Sequence, residues 1–152
     1  MSLLSKRKKA RNLLVQALYQ WQISGTGLAN LEAQFCTDND MGKVDREFFH
    51  ELLHGVPAKL QEIDECYAQF LDRRRDALDP VSTAVLRLGT YELMYRVDVP
   101  YRVAINEAVN QAKKFGPTDA FKYINGILDK VATQTRSVEI EAMRKNNKVA
   151  SK

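Results

Sequence analysis

The sequence predicts an all-α domain, for three reasons. Apolar residues recur three and four positions apart along most of the chain, which is the spacing of one helix face, and no convincing stretch alternates apolar and polar residues as a strand would. The β-branched residues are scattered. Only seven glycines and four prolines interrupt the 152 residues, a length at which one domain buries a real core without a disulfide or a structural metal.

The first predicted helix has a strongly basic start. Five of the six residues from 6 to 11 are cations, and no acidic residue precedes Glu32. At about 100° per residue, this helix has an apolar face and a basic flank with an aromatic end. The face comprises Ala10, Leu13, Leu14, Ala17, Leu18 and Trp21, and the flank comprises Lys8, Arg11, Val15 and Tyr19. A basic edge in water suits an acidic partner such as nucleic acid, and an ordinary solvated turn is the alternative.

Local signals set the ends of the next elements. The first helix should end near residues 24–27, where glycine commonly closes helices. A short amphipathic helix follows, and residues 37–42 form a polar loop. The apolar side of the short helix comprises Leu28, Leu31 and Phe35. Asp45 is placed to cap the third helix, which Pro57 should kink or split before the apolar pattern resumes over residues 60–70.

A charged connector over residues 72–76 leads to the predicted central helix. Asp79 and Pro80 provide a capping carboxylate and a proline at the first helical position. The helix that runs from there to Tyr95 is apolar on more than one side and therefore belongs in the centre of the fold. Glu92 lies within its apolar arc and needs a partner, for which Arg96 and Arg102 are candidates.

Two further helices complete the predicted core. The first, with Ile105 and Ala108 on its apolar face, stops near residues 115–117, and Thr118 or Asp119 caps the second. Gly126 lies inside the second helix, where glycine costs about 1 kcal/mol relative to alanine, which indicates close approach of another helix or of a ligand. The apolar period is lost from about Arg136, so residues 136–152 are predicted to be a basic, disordered tail.

One literal catalytic motif is present, His50-Glu51-Leu52-Leu53-His54. On a helix its two histidines are one turn apart and could share a zinc ion, with Glu51 as the base of a hydrolase. A catalytic zinc needs a third protein ligand, and the residues that follow offer no recognised pattern for one. Two histidines at the edge of an amphipathic helix are usually surface residues, so we predict no catalytic site and no metal or cofactor.

Other sequence features indicate a cytoplasmic protein. The two cysteines make no recognisable motif, and the N-terminus has no apolar signal segment. No apolar run approaches the roughly 20 residues of a membrane span.

Six stretches between about Lys6 and Arg136 form a specific combination. They are VQALYQWQ at 15–22, AVLRL at 84–88, YEL at 91–93, VPYRVAINEA at 99–108, KFG at 114–116 and YINGILDK at 123–130. Together they resemble the NusB family of bacterial transcription antitermination factors. The resemblance implies about seven helices in two packed subdomains, at about residues 6–76 and 79–135 of a single domain over residues 1–135.

The resemblance also implies a non-enzymatic function. The family binds the boxA element of nascent ribosomal RNA together with NusE, a small-subunit ribosomal protein, and acts with other Nus factors and RNA polymerase to read through terminators. By position, the residues that would bind the single-stranded RNA are Arg7, Lys8, Lys9, Arg11, Asp119, Lys122 and Tyr123. Those that would contact the protein partner are Tyr19, Ser82 and Arg87.

The chain departs from the family pattern in three ways. Three of the N-terminal cations are lysines, which lack the forked phosphate contact of arginine. Ser82 is uncharged where relatives can carry an acid, and Tyr123 replaces a phenylalanine while keeping a ring on which a base can stack. The alternative function is the NusB-like RNA-binding module of an RNA methyltransferase.

Overall fold

The computed structural model describes the backbone of residues 2–150 and the side chains of residues 2–147. Eight α-helices and no strand occur in this part of the chain, which confirms the all-α prediction with one helix more than about seven. The helices are α1 (Leu3–Ser24), α2 (Leu28–Asp38), α3 (Arg46–Ala58), α4 (Leu60–Ala68), α5 (Pro80–Tyr95), α6 (Tyr101–Phe115), α7 (Ala120–Thr135) and α8 (Ser137–Ala150). Two 3-10 turns, Met41–Lys43 and Arg75–Ala77, lie between helices.

Helix α1 begins and ends at the residues that its local signals indicate. The Ser2 hydroxyl accepts a hydrogen bond from the Ser5 amide at 3.1 Å, and Gly25 closes the helix in the left-handed conformation at φ 67°. Ala10, Leu14 and Leu18 are fully buried, as the predicted apolar face requires. The polar loop predicted after α2 is shorter than expected, because α2 continues to Asp38 and a 3-10 turn begins at Met41.

The third predicted helix is split into α3 and α4. The Asp45 carboxylate caps α3 by accepting a hydrogen bond from the Phe48 amide at 3.1 Å. Pro57 lies in the last turn of α3, where it supplies no backbone donor, and α4 begins at Leu60. The predicted split is therefore confirmed, but it lies at Lys59, two residues after the proline, rather than after Gly55.

Helix α5 is the centre of the fold and packs against α1, α3, α4, α6 and α7. It starts where the Asp79 carboxylate accepts a hydrogen bond from the Ser82 amide at 2.9 Å. Gly89 allows α6 and α7 to pack closely on α5, because a Cβ there would lie 2.9 Å from Leu128 Cδ1 and 3.4 Å from Ala108 Cβ. The prediction of a central helix that is apolar on several sides is confirmed.

A buried ion pair joins α1 to α5. The Arg11 guanidinium donates hydrogen bonds to the Glu92 carboxylate, from Nη2 at 2.7 Å and from Nε at 3.1 and 3.2 Å, and both residues are 1% exposed. The prediction that Arg96 or Arg102 pairs with Glu92 is wrong. Arg11 and Val15 were predicted to lie on the solvent-exposed flank of α1, but both are buried. The neighbouring helices cover a wider arc of α1 than its apolar residues indicate.

An aromatic ring lies beside this pair. The Phe48 ring centroid is 4.9 Å from the Arg11 guanidinium carbon and 5.0 Å from those of Arg7 and Arg96. Burial raises the pKa of the Glu92 carboxyl, although the Arg11 guanidinium opposes that change. The Phe48 ring therefore stabilises three cations, and two of them, Arg11 and Arg96, also act on the buried Glu92 carboxylate.

The predicted disordered tail is wrong for residues 137–150, which form α8. The segment is rich in good helix formers, and its start is anchored by Arg136, which is 4% exposed. The Arg136 guanidinium donates to the carbonyl oxygens of Glu92, Leu93, Arg96 and Val99 at 2.7–3.1 Å. These include carbonyls at the end of α5 that have no partner within the helix. The last two residues of the predicted tail, 151 and 152, lie outside the described chain.

We expect Arg11→Met to lower the free energy of unfolding by about 3–5 kcal/mol, because it leaves the Glu92 carboxylate buried without its partner. Arg11→Met/Glu92→Leu should recover most of that loss, because it leaves no uncompensated charge. Urea denaturation measures both variants. Lys8→Met, a change at an exposed position on the same helix, is the control and should lie within about 0.5 kcal/mol of wild type. A double variant no more stable than the single one would contradict the pairing.

Candidate nucleic-acid and protein interface

The basic start of α1 presents fewer free cations than its sequence indicates. Lys8 is exposed and Lys9 is half-buried, but Arg11 lies in the core and is not available to a ligand in solvent. The Arg7 side chain is 19% exposed, and its guanidinium lies 3.3 Å from Asp45 Oδ2 and 3.5 Å from Asp98 Oδ2. The free positive charge of α1 at this surface is therefore carried mainly by lysines.

Lysines from three separate elements meet in one groove of about 300 Å³. Lys9 comes from α1, Lys43 from the 3-10 turn and Lys114 from the last turn of α6, and Asp40 is the one acidic side chain among the residues that line this part of the described surface. Asn12, Gln16 and Asn39 add polar groups to the lining. The groove thus combines excess positive charge with amide donors, which suits phosphate oxygens.

Sequence reasoning missed Lys43 and Lys114 because neither belongs to a basic run. The neighbouring Lys113 points toward the next helix, with its Nζ 4.8 Å from the Phe121 ring centroid, and Lys122 Nζ is 5.9 Å from the same ring. At the end of α6, Lys114 therefore lies beside α1 and Lys113 lies beside the start of α7. The two lysines lie between the two predicted halves of the RNA site.

The start of α7 has an unusual backbone. Asp119 occupies the N-cap position with φ 69°, a left-handed conformation that aspartate tolerates better than most residues, and its side chain makes no capping hydrogen bond. The predicted cap is therefore correct in position and wrong in its interaction. The Asp119 carboxylate is 68% exposed and lies 3.7 Å from Lys122 Nζ.

The Tyr123 ring lies beside a groove of about 270 Å³ with Arg73, Asp79, Ser82 and Asp119. The Arg73 guanidinium carbon is 4.3 Å from the ring centroid and covers one face. Burial raises the pKa of the Tyr123 phenol, and its buried hydroxyl has no hydrogen-bond partner in the described chain. A base that stacks on Tyr123 must use the other face or displace Arg73.

Gly126, one turn further along α7, faces open space. A Cβ built there meets no heavy atom of the described chain within 4 Å, so close packing of another helix does not explain this glycine. The adjoining Asn125, Asp129 and Lys130 are also exposed. The Tyr123–Lys130 side of α7 is thus free for a ligand.

The three predicted protein-partner residues lie in different environments. Tyr19 is 40% exposed and lines a mainly apolar groove of about 450 Å³ between α1, α2 and α5. Ser82 is 3% exposed and lies in the separate groove of Tyr123. The Arg87 guanidinium donates to both oxygens of Asp64 at 3.0 Å and to Gln22 at 3.0 Å, which ties α5 to α4 and to α1. The three residues therefore do not line one common groove.

Sequence reasoning placed Val15 beside Tyr19 but missed the other residues that make this groove apolar. They are Ile23, Phe35, Val81 and Phe115. Ile23 is 60% exposed and lies one helical turn after Tyr19, a spacing that could have indicated an outward apolar stripe on α1. The others come from α2, α5 and α6, and only the fold brings them to Tyr19.

The geometry around the literal zinc-hydrolase motif does not favour its catalytic use. The Glu51 carboxylate accepts hydrogen bonds from the Tyr91 hydroxyl and from Arg96 Nη1, both at 3.1 Å. The two histidines instead contact Glu32 of α2. Glu51, which would act as the base, thus bonds to Tyr91 and Arg96, whereas the two histidines bond to Glu32.

Within the described residues, no helix combines the length and the apolar character that crossing a bilayer requires.

Comparison with known proteins gives consistent matches. The model of the NusB family matches residues 8–133. The chain is 59% identical over 139 residues to the transcription antitermination protein NusB of Saccharophagus degradans, covering 91% of this chain and 93% of that protein. It is 52% identical over 140 residues to the protein of the same name from Alcanivorax borkumensis, covering 92% and 93%.

Solved structures share the fold. T. maritima NusB superposes with a TM-score of 0.75 at 31% identity, covering 84% of this chain and 90% of that one. A crystal structure of the antitermination factors NusB and NusE in complex with dsRNA matches with a TM-score of 0.74 at 24% identity, covering 84% and 96%. At that identity the second match shows the fold alone.

The contact of Asp98 with Arg96 and Arg7 predicts a pH dependence. Hydrogen bonds from Arg96 at 3.0 Å lower the pKa of the Asp98 carboxyl from 3.8 to about 2. Because the folded state has the lower pKa, the carboxylate stabilises the protein above about pH 4, and this contribution is lost as the pH falls toward 2. Urea denaturation should therefore show Asp98→Asn less stable than wild type at pH 6, with a difference that shrinks between about pH 4 and pH 2.

The effect of Asp98→Asn should be small and should decrease with salt, because the Asp98 side chain is 55% exposed. Asp129→Asn, at an exposed carboxylate with no ion pair in the described chain, is the control. A difference for Asp98→Asn that stays constant with pH would contradict the assignment.

Proposed function

The chain belongs to the NusB family, and we propose that it is a transcription antitermination factor that binds boxA of nascent ribosomal RNA together with NusE. Its close relatives bear the name of a transcription regulator rather than of an enzyme. The hydrogen bonds of the Glu51 carboxylate with Tyr91 and Arg96 agree with a protein that carries out no hydrolysis. Such a factor acts in the cytoplasm, on RNA that emerges from RNA polymerase, with other Nus factors.

The observation that supports RNA binding best is the groove formed by Lys9, Lys43 and Lys114. Together with exposed Lys8, these side chains offer several positive charges on one side of the molecule. Neutralising phosphates with lysines releases counterions, which gives affinity without sequence information. We therefore assign this groove, rather than Arg11, as the part of the site that holds the RNA backbone.

Base recognition falls to the start of α7 in this proposal. Tyr123 supplies a ring, Lys122 and Asp119 supply an exposed donor and an exposed acceptor, and Gly126 leaves the helix surface free. Aromatic stacking on one base is worth about 1–3 kcal/mol. Lys113 and Lys114 connect this surface to the groove of α1, so a single strand could follow both.

We assign the apolar groove around Tyr19 to the protein partner. Tyr19 and Ile23 are exposed large side chains on one flank of α1, and aromatic anchors over an apolar groove are typical of protein interfaces. Ser82 and Arg87 lie outside this groove, so we leave them out of the proposed contact.

The methyltransferase module is a weaker alternative. The relatives that match over 93% of their own length are named as antitermination proteins, which favours the first function. The division into two subdomains at about residues 76–79 stays a prediction.

A gel-shift titration with boxA RNA tests the lysine groove. We expect Lys43→Ala/Lys114→Ala to weaken binding and to reduce the slope of log affinity against log salt by about 1.4, since each lost contact to a single strand removes about 0.7. The matched control is Lys59→Ala/Lys145→Ala, which removes two exposed lysines elsewhere on the protein. The assignment of the groove fails if both variants change the slope equally.

The same assay tests boxA and NusE. Wild type should bind boxA RNA more tightly than a scrambled RNA of the same composition, and NusE should increase that preference. Equal binding of the two RNAs, with and without NusE, would contradict boxA recognition.

Substitution of Tyr123 tests the base-stacking surface. We expect Tyr123→Ala to weaken boxA binding by about 5- to 150-fold, which corresponds to the loss of one stacked base. Tyr123→Phe should bind like wild type, because it keeps the ring and removes only a buried hydroxyl without a partner. Thermal unfolding of both variants checks that the fold is kept. A Tyr123→Ala protein that is folded and binds normally would exclude stacking at this position.

A further inference from the structure

The side chains of Glu32, His50 and His54 converge on the surface between α2 and α3. His50 Nδ1 lies 2.6 Å from Glu32 Oε2, and His54 Nε2 lies 3.1 Å from Glu32 Oε1. The centroids of the two imidazole rings are 4.5 Å apart. One ligand atom from each of the three residues lies within 4.8 Å of the ligand atoms of the other two residues. This is a cluster of three metal-ligating groups that the proposed RNA and protein surfaces do not use.

Core packing sets up this cluster. His50 and His54 are one helical turn apart on α3 and therefore project from the same face. Their neighbours Phe49 and Leu53 are buried, as is Leu31 beside Glu32. The Phe35 ring packs against Phe49 with centroids 6.3 Å apart, which holds α2 alongside α3. The carboxylate is thus brought to the histidines by buried contacts rather than by chance side-chain rotation.

The donor set matches the chemistry of zinc. Two imidazole nitrogens and one carboxylate oxygen form a ligand set that zinc takes in proteins, with the fourth position left to water. Ligands at about 2.0–2.2 Å from a tetrahedral ion lie about 3.3 Å from one another. His50 is 62% exposed and His54 is 36% exposed, so small side-chain rotations reach that spacing from the present one.

The charge environment also favours a cation. In the described chain His50 and His54 are the only side chains that pair with Glu32 in an ion-pair geometry. No lysine or arginine side chain of residues 2–147 forms an ion pair with this carboxylate, so an incoming ion would find a negatively charged oxygen beside two imidazoles.

We propose that Glu32, His50 and His54 bind one divalent ion of the zinc class and thereby link α2 to α3. The site is structural rather than catalytic, because the Glu51 carboxylate is held by Tyr91 and Arg96. Glu32 on α2 supplies the third ligand that the sequence motif alone lacks. Because α2 also carries Phe35 in the wall of the apolar groove, the ion fixes one side of that groove.

Isothermal titration calorimetry with zinc chloride tests the proposal on the full, metal-stripped chain without an affinity tag. We expect one zinc ion per chain for the wild type. His50→Gln, His54→Gln and Glu32→Gln should each weaken binding by at least about tenfold, since loss of a supporting outer-shell partner alone costs about 10- to 100-fold. Glu47→Gln, which changes an exposed acid in the first turn of α3, should bind zinc like wild type.

A cysteine control separates this site from the other zinc ligands of the chain. Cys36 and Cys66 are free thiols, and Cys36→Ser/Cys66→Ser should keep one zinc ion per chain. Zinc should also raise the melting temperature of wild type and of the cysteine variant, but not that of His50→Gln/His54→Gln. The proposal is overturned if wild type binds no stoichiometric zinc, or if binding survives loss of both histidines and disappears with the cysteines.

Discussion

The buried pair of Arg11 and Glu92 is the interaction on which the arrangement of the molecule depends. A guanidinium and a carboxylate, each 1% exposed, are stable together in the core only while α1 lies against α5. The Phe48 ring of α3 lies against the same guanidinium, so three helices meet at this point. The position of α1 then decides where Lys8 and Lys9 lie and where Tyr19 opens onto the apolar groove.

Helix boundaries were predictable because they depend on neighbours in sequence. The carboxylates of Asp45 and Asp79 cap the helices that follow them, and Pro80 comes directly after Asp79. Gly25 closes α1, and each of these signals acts on the backbone within one turn. The partner of Glu92 was not predictable in this way, because Arg11 lies 81 positions away and reads as part of a basic surface run. The same limit hid Lys43, Lys114 and Glu32, whose roles arise only when separate elements meet, and it made Arg136 look like the start of a tail.

The sequence and the structure assign the positive charge differently. In the sequence, residues 6–11 look like one polybasic segment for binding an anion. In the structure, Arg11 neutralises a core carboxylate and Arg7 contacts Asp45 and Asp98, so the arginines stabilise the fold while the lysines remain for a ligand. This division follows from chemistry, because arginine forms forked, buried contacts and is less strongly hydrated than lysine.

The distance in sequence between Arg11 and Glu92 has a consequence during synthesis. Helix α1 leaves the ribosome first, but the carboxylate that neutralises its arginine is added 81 residues later. At about 5–20 residues per second, this interval lasts about 4–16 s. For that time an amphipathic basic helix has at most the part of its apolar cover that α2 and α3 provide, and Arg11 has no counter-charge, close to ribosomal RNA. Docking of α1 on α5 is therefore a late, non-local step, and the nascent chain is most exposed to unspecific polyanion contacts before α5 is complete.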